Sequence, residues 1–203
     1  MNISEIFYSI QWEWPNAGKP SIFVRFFWCN LSCERCDSKY AWKELDGLKR
    51  YDIDKVIDKI RTKKGTHIVF TGWEPTLYEK DIKKIQEQLP NFYTYEIETN
   101  WSKKIKNKYD TVNVSYKLDQ DYELKAINKN YNYKFVINKE EDFKKMQNII
   151  DKFNILDEKV YLMPAWTTLE SQIRQDILDF CLEMEYNYCM RQHIILFWDK
   201  RWV

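Results

Sequence analysis

Apolar residues along the chain follow two spacings, and the spacings alternate. Short apolar runs of strand length occupy 20–27, 67–71, 93–99, 111–115, 132–137, 160–163 and 193–197. Between them apolar positions recur three and four residues apart, the period of a helix packed along one face. Ile53, Val56, Ile57 and Ile60 form one such stripe, and Ile82, Ile85 and Leu89 a second. Phe143, Met146, Ile149, Ile150 and Phe153 form a third, and Leu169, Ile173, Ile177 and Cys181 a fourth. Asp52 stands just before the first stripe, where a carboxylate caps a helix start. Strand–helix alternation predicts an α/β fold, a parallel sheet joined by crossover helices.

A complete eight-fold barrel takes about 250 residues, and this chain has 203. The expectation is therefore an incomplete TIM-type barrel forming a single domain, 1–203. The Lys/Asn-rich stretch 103–108 and the segment 119–131 read as solvated loops or helix ends. In parallel α/β folds, ligands gather at the carboxyl ends of the strands. Four polar segments follow predicted strands: the cysteine loop after 20–27, Thr71-Gly72-Trp73-Glu74-Pro75, Glu98-Thr99-Asn100 and Ser115-Tyr116-Lys117. They should share one face.

The cysteine loop, Cys29-Asn30-Leu31-Ser32-Cys33-Glu34-Arg35-Cys36, directly follows the run Ile22-Phe23-Val24-Arg25-Phe26-Phe27. Three thiolates at this C-x3-C-x2-C spacing can hold three irons of a [4Fe-4S] cluster and leave the fourth open for a ligand. A zinc site would want a fourth protein ligand, and no nearby His or Cys offers one. Cys181 and Cys189 read as buried small hydrophobes.

With its companion motifs, the cysteine loop resembles the radical S-adenosylmethionine (SAM) family, in particular its queuosine-biosynthesis branch. The resemblance runs from Ile6-Phe7-Tyr8-Ser9-Ile10-Gln11 to the C-terminus. It implies that Cys29, Cys33 and Cys36 ligate the cluster, whose reduced form cleaves SAM to methionine and a 5′-deoxyadenosyl radical. Thr71-Gly72-Trp73-Glu74-Pro75-Thr76 resembles the family's T-G-G-E-P-T turn and Ser115-Tyr116-Lys117 its S-P-K. These imply SAM contacts from Gly72, Trp73, Glu74, Asn100, Ser115, Tyr116 and Lys117, joined by Arg35 and Asp37 in the cysteine loop. Arg35 stands where the family usually has an aromatic. Ser38 stands where the family has a Thr that ligates Mg²⁺, and it keeps the hydroxyl oxygen that a hard cation takes.

Gln11-Trp12-Glu13-Trp14-Pro15-Asn16 resembles a Q-G-E-G substrate loop. The implied substrate contacts are Ile10, Gln11, Trp12, Glu13, Arg25, Thr71, His193 and the C-terminal Val203, with Gln192 nearby. Arg25, among apolar neighbours, has the geometry to clamp a carboxylate bidentately. The implied reaction converts 6-carboxy-5,6,7,8-tetrahydropterin to 7-carboxy-7-deazaguanine with loss of ammonia. The implied cofactors are a [4Fe-4S] cluster, SAM and Mg²⁺, with flavodoxin or ferredoxin as electron donor and a homodimer as assembly. Two rivals remain: a glycyl-radical-enzyme activase of the same class, and a non-catalytic Fe–S or zinc-binding module.

Composition narrows partners and raises one anomaly. A net charge of +1, from 32 basic and 31 acidic residues, gives no electrostatic case for nucleic acid or a membrane surface. No apolar run approaches a membrane span and the N-terminus lacks a signal-peptide core, so the expected location is the cytoplasm. Glycine is rare, at four residues, and tryptophan abundant, at nine. Trp12, Trp14, Trp28, Trp73, Trp101, Trp166, Trp198 and Trp202 all fall where the family pattern has glycine; only Trp42 does not. One replacement chosen eight times points to UGA codons that the source reads as glycine, in an AT-rich genome matching the Lys, Ile, Asn and Tyr richness.

Overall fold

The computed structural model describes residues 1–13, 15–33, 36, 49–122, 128–165 and 171–197. Its centre is one sheet, nine-stranded among the described residues. The strands are β1 (Asn2–Ile10), β2 (Pro20–Phe26), β3 (Lys49–Arg50), β4 (His67–Gly72), β5 (Thr94–Thr99), β6 (Thr111–Tyr116), β7 (Asn132–Ile137), β8 (Val160–Pro164) and β9 (Asn187–Tyr188). Their order is β3-β1-β2-β4-β5-β6-β7-β8-β9. From β2 onward every pairing is parallel. The helices are α1 (Ile53–Arg61), α2 (Glu79–Gln88), α3 (Glu140–Phe153), α4 (Ser171–Met184) and α5 (Gln192–Phe197). The result is the α/β, partial-barrel architecture read from the sequence, as an open sheet rather than a closed barrel.

Local chemistry starts and stops the helices. Asp52 has extended backbone and its carboxylate accepts from the Lys55 N–H, with Asp54 in the first turn and Lys59 and Arg61 in the last, all complementing the helix dipole. Three acidic residues open α3, and Asn154 closes it in the left-handed region at φ 50°, a conformation that Asn tolerates.

The two faces of the sheet differ in chemistry. On one face Ile22, Val24, Phe26, Ile68, Phe70, Ile97, Val112, Val114, Tyr133 and Phe135 meet Val56, Ile60, Ile82, Ile85, Met146 and Ile177 from the helices. Each such large side chain contributes about 1.5–3 kcal/mol on burial. The alternate strand positions turn away from the helices: Phe23 and Arg25, His67, Val69 and Thr71, Glu96 and Glu98, Asn113 and Ser115, Asn132 and Lys134. That inner face is largely polar.

Three local expectations change. β1 was not anticipated; only Ile3 and Phe7 along it are buried, so no clean alternation announces it, and it pairs antiparallel with β2. The run 193–197 is helical in α5 rather than a strand, because a short apolar run does not distinguish the two. The two-residue β9 is too short to leave a pattern. Leu169 of the fourth stripe lies outside the described residues. No helix among the described residues is long and apolar enough to cross a membrane.

Candidate active site

The four polar segments converge at the carboxyl ends of β2, β4, β5 and β6. Asn100, just past β5, brings its Nδ2 to 3.6 Å from the Cys29 sulfur. The Leu31 N–H also points at that sulfur, at 3.3 Å. Glu74 N–H donates to the Trp28 carbonyl. Lys117, past β6, donates to Ser115 Oγ at 2.9 Å, and its charge reaches Cys29 and Cys33.

Gly72 makes the close approach possible. Its φ is 111°, and a Cβ there would sit 2.3 Å from the Phe26 carbonyl oxygen. No other residue fits.

None of the three loop cysteines forms a disulfide among the described residues. Burial raises the Cys29 thiol and pushes the Cys33 thiol up to about 11, while Lys117 works in the opposite direction. A bound positive centre would favour the thiolate form against this burial. No three His, Cys, Asp or Glu side chains among the described residues converge on a single ion. The fit to a cluster rests on donor chemistry: three thiols on one loop, N–H donors on one sulfur, and a cation beside them. One group stands against it. The Trp73 indole packs on Phe27, ring centroids 5.1 Å apart, with Cys29 and Cys36 against the pair.

Two expected SAM contacts have side chains engaged within the protein. Glu74 is fully buried. Its Oε1 accepts from the Thr76 N–H (3.1 Å), Thr76 Oγ1 (2.5 Å) and Thr99 Oγ1 (2.5 Å), and its Oε2 accepts from the Asn100 N–H (2.7 Å). Burial raises its pKa despite these donors. The carboxylate ties the turn after β4 to the end of β5. Tyr116 alternates away from Ser115 and Lys117 and stacks on Tyr122, centroids 5.1 Å apart, in the core.

The expected substrate residues gather on the inner face beside the loop joining β1 to β2. The Trp12 ring stacks with Phe7 and Phe23 and meets His193 at a tilt, centroids 4.7 Å apart. Its indole N–H is buried without a partner among the described residues. The Trp12 carbonyl accepts from Gln192 N–H, so α5 and the loop are joined. Arg25 lies over the Phe7 and Trp12 rings and pairs with Glu5 at 3.0 Å. Ile10 ends β1 opposite Pro20. Glu13 forms an ion pair with Lys134. Burial disfavours the Lys134 charge, yet Glu13, Cys189 and Glu98 hold its pKa above the ordinary value.

Glu96 and Lys134 were not singled out from the sequence, and Glu98 entered only as the first residue of a polar segment after a strand. Glu98 accepts from Thr71 Oγ1 at 2.5 Å and Gln11 Nε2 at 3.0 Å. Burial, reinforced by Glu96 and Glu13, pushes its pKa from 4.5 to about 7. The signal was available in Thr94-Tyr95-Glu96-Ile97-Glu98-Thr99, where two acids alternate on one face of a strand whose neighbour Ile97 is core. Arg35, Asp37, Ser38 and Val203, and with them Trp14, Trp42, Trp166, Trp198 and Trp202, lie outside the described residues.

No family model matches the chain. It is 30% identical over 204 residues to the 7-carboxy-7-deazaguanine synthase of Buchnera aphidicola subsp. Schizaphis graminum, covering 89% of this chain and 89% of that protein. It is 38% identical over 116 residues to the 7-carboxy-7-deazaguanine synthase of Haemophilus influenzae, a match covering 57% of this chain and about half, 53%, of that protein. The crystal structure of QueE from Escherichia coli superposes with a TM-score of 0.79 over 95% of this chain and 94% of that one. At 21% identity, that superposition establishes the shared fold.

Proposed function

The chain belongs to the 7-carboxy-7-deazaguanine synthase family, and from that premise we propose that it is a radical SAM lyase of queuosine biosynthesis. It converts 6-carboxy-5,6,7,8-tetrahydropterin to 7-carboxy-7-deazaguanine with loss of ammonia. The juxtaposition of Asn100 with Cys29, beside an inner face carrying Arg25, Glu13, Glu98 and Lys134, supports this reading most directly. A bound [4Fe-4S] cluster and SAM supply the one-electron chemistry that begins the reaction. Cys29, Cys33 and Cys36 would hold the cluster through their thiolates.

The remaining residues bind and orient. The backbone from Gly72 to Glu74, with Asn100, Ser115, Lys117, Arg35 and Asp37, receives SAM. Arg25, fixed by Glu5 and the ring of Phe7, offers a guanidinium to the pterin carboxylate. Glu13 and Thr71 offer an acceptor and a hydroxyl to the ring edge. Ile10, Gln11, Trp12, His193 and Val203 complete the pocket. Ser38 supplies a hydroxyl to Mg²⁺. Flavodoxin or ferredoxin delivers the electron, in the cytoplasm, to a homodimer.

Anaerobic reconstitution followed by mass spectrometry of the pterin products tests the assignment. The expected result is loss of the pterin with formation of the deazaguanine, faster with added Mg²⁺. Ser38→Ala should lose the Mg²⁺ response and Ser38→Thr should keep it. A protein that cleaves SAM but leaves the pterin intact would move the assignment to the activase class. One that binds no iron would end the radical reading.

A further inference from the structure

A carboxylate that no ligand can reach holds the substrate loop in place. Glu96 is fully buried in the middle of β5. Its Oε1 accepts from Gln11 Nε2 at 2.5 Å and Asn113 Nδ2 at 2.8 Å. Its Oε2 accepts from Asn16 Nδ2 at 2.5 Å and lies 3.1 Å from His67 Nε2. An ionised carboxylate offers about four lone-pair sites, and four groups meet them. The partners are themselves fixed. His67 Nδ1 is 2.8 Å from Thr94 Oγ1, Asn132 Nδ2 donates to Asn113 Oδ1 at 2.9 Å, and Asn16 Nδ2 also reaches Thr111 Oγ1 at 3.2 Å.

Two of the four donors, Gln11 and Asn16, belong to the β1–β2 connection. Gln11 then passes the constraint outward, because its Oε1 accepts from the Trp12 N–H at 2.7 Å and its Nε2 also meets Glu98 at 3.0 Å. The same connection is closed by backbone bonds from Gln11 N–H to the Lys19 carbonyl and from Gly18 N–H to the Gln11 carbonyl, both 2.7 Å.

We propose that Glu96 is a positioning residue that presets Gln11, Trp12 and Glu13 for the pterin by anchoring Gln11 and Asn16 from beneath. The proposal rests on the pterin reading above. It separates two roles for acids on one strand: Glu96 holds the loop, and Glu98, nearer the carboxyl end, faces what the loop encloses. A preset loop lowers the ordering cost of binding. Losing it therefore weakens pterin binding uniformly, raising KM with little change in kcat.

The test combines amide hydrogen exchange with pterin binding by equilibrium dialysis in the anaerobically reconstituted protein. Glu96→Ala should speed exchange at Gln11, Trp12, Gly18 and Lys19 and leave α1 unchanged. It should weaken pterin binding about tenfold or more, the loss of two charge-assisted bonds. Glu96→Gln, which keeps one acceptor oxygen, should recover most of both. Asn16→Ala, near the surface, should loosen the same amides by a smaller factor, and it decides the matter if Glu96→Ala does not fold. Unchanged loop exchange in Glu96→Ala, or in Asn16→Ala where Glu96→Ala does not fold, would overturn the proposal. A wild-type protein that binds no pterin would instead overturn the functional reading, while the exchange data would still judge Glu96.

Discussion

Asn100 Nδ2 sits 3.6 Å from the Cys29 sulfur, linking the end of β5 to the cysteine loop after β2. Hydrogen bonds to cluster sulfurs stabilise the reduced, more negative state and so raise the reduction potential. Asn100→Ala should keep iron content at about four per chain, as for one [4Fe-4S] centre, and lower the midpoint potential in an EPR-monitored titration. Cys33→Ala should lose the cluster. Cys181→Ala and Cys189→Ala, in the core, should leave it intact. An unchanged potential in Asn100→Ala would show that the contact carries no weight.

Glu74 should behave as a structural hub. Removing its carboxylate leaves the Asn100 N–H, the Thr76 N–H and two hydroxyls without their acceptor. Each buried donor left unsatisfied costs about 1–3 kcal/mol. Glu74→Ala should therefore lose on the order of 3–5 kcal/mol of stability in urea unfolding, within the range for breaking a buried charged network. Glu74→Gln keeps one oxygen and should lose less. A cost below about 1 kcal/mol for Glu74→Ala would return the carboxylate to a ligand role.

Glu98 should make stability depend on pH. Its pKa rises from 4.5 to about 7 in the folded protein. Between those values the folded state binds more protons than the unfolded one, so the stabilising contribution is present below pH 4.5 and lost as pH rises through 7. Partial exposure discounts the size to on the order of 1–3 kcal/mol, since one pKa unit is about 1.4 kcal/mol. Glu98→Gln should flatten that part of the stability profile. An identical slope in variant and wild type would remove Glu98 as its source.

The fold was legible wherever one face of an element was apolar. The stripes 53–60 and 143–153 became helices, and the runs 20–27, 67–71 and 132–137 became strands within a residue or so at each end. What the sequence hid was pairing. β1 is held by β2 and β3 and not by its own pattern, and 193–197 is short enough to wind either way. At the site, motif residues at strand ends were legible because turn chemistry is local. Glu96 and Lys134 were not, because an acid or a lysine within a strand reads as solvent-facing until the inner face is known. For Glu74 and Tyr116 the spacing placed the residue near the site, but only packing decides which way the side chain turns.

Trp28 carries the sharpest test of the glycine reading. Its φ is 82°, and Trp101 has φ 55°, both in the left-handed region where glycine is at home. Yet the two should respond differently. Trp28 is 52% exposed, so its indole contributes little burial. Left-handed backbone costs an L-residue about 1–2 kcal/mol, and Trp28→Gly should therefore raise stability by about 1 kcal/mol after the added chain entropy of glycine is subtracted. Trp28→Ala removes the same indole but keeps the strain, so it should gain less than Gly; equal gains would rule out backbone strain as the cause. Trp101 is 3% exposed and packs on Tyr131 and Tyr133. Emptying that site costs about 3–5 kcal/mol, more than the strain relieved, so Trp101→Gly alone should destabilise the chain as written. Restoring glycine at Trp12, Trp14, Trp28, Trp73, Trp101, Trp166, Trp198 and Trp202 together should free the space that Trp73 fills beside Cys29 and Cys36 and raise SAM turnover. The gene should carry UGA at those eight codons and UGG at Trp42; UGG throughout would refute the recoding, and Trp28 would then be a strained tryptophan whose backbone cost the loop bears.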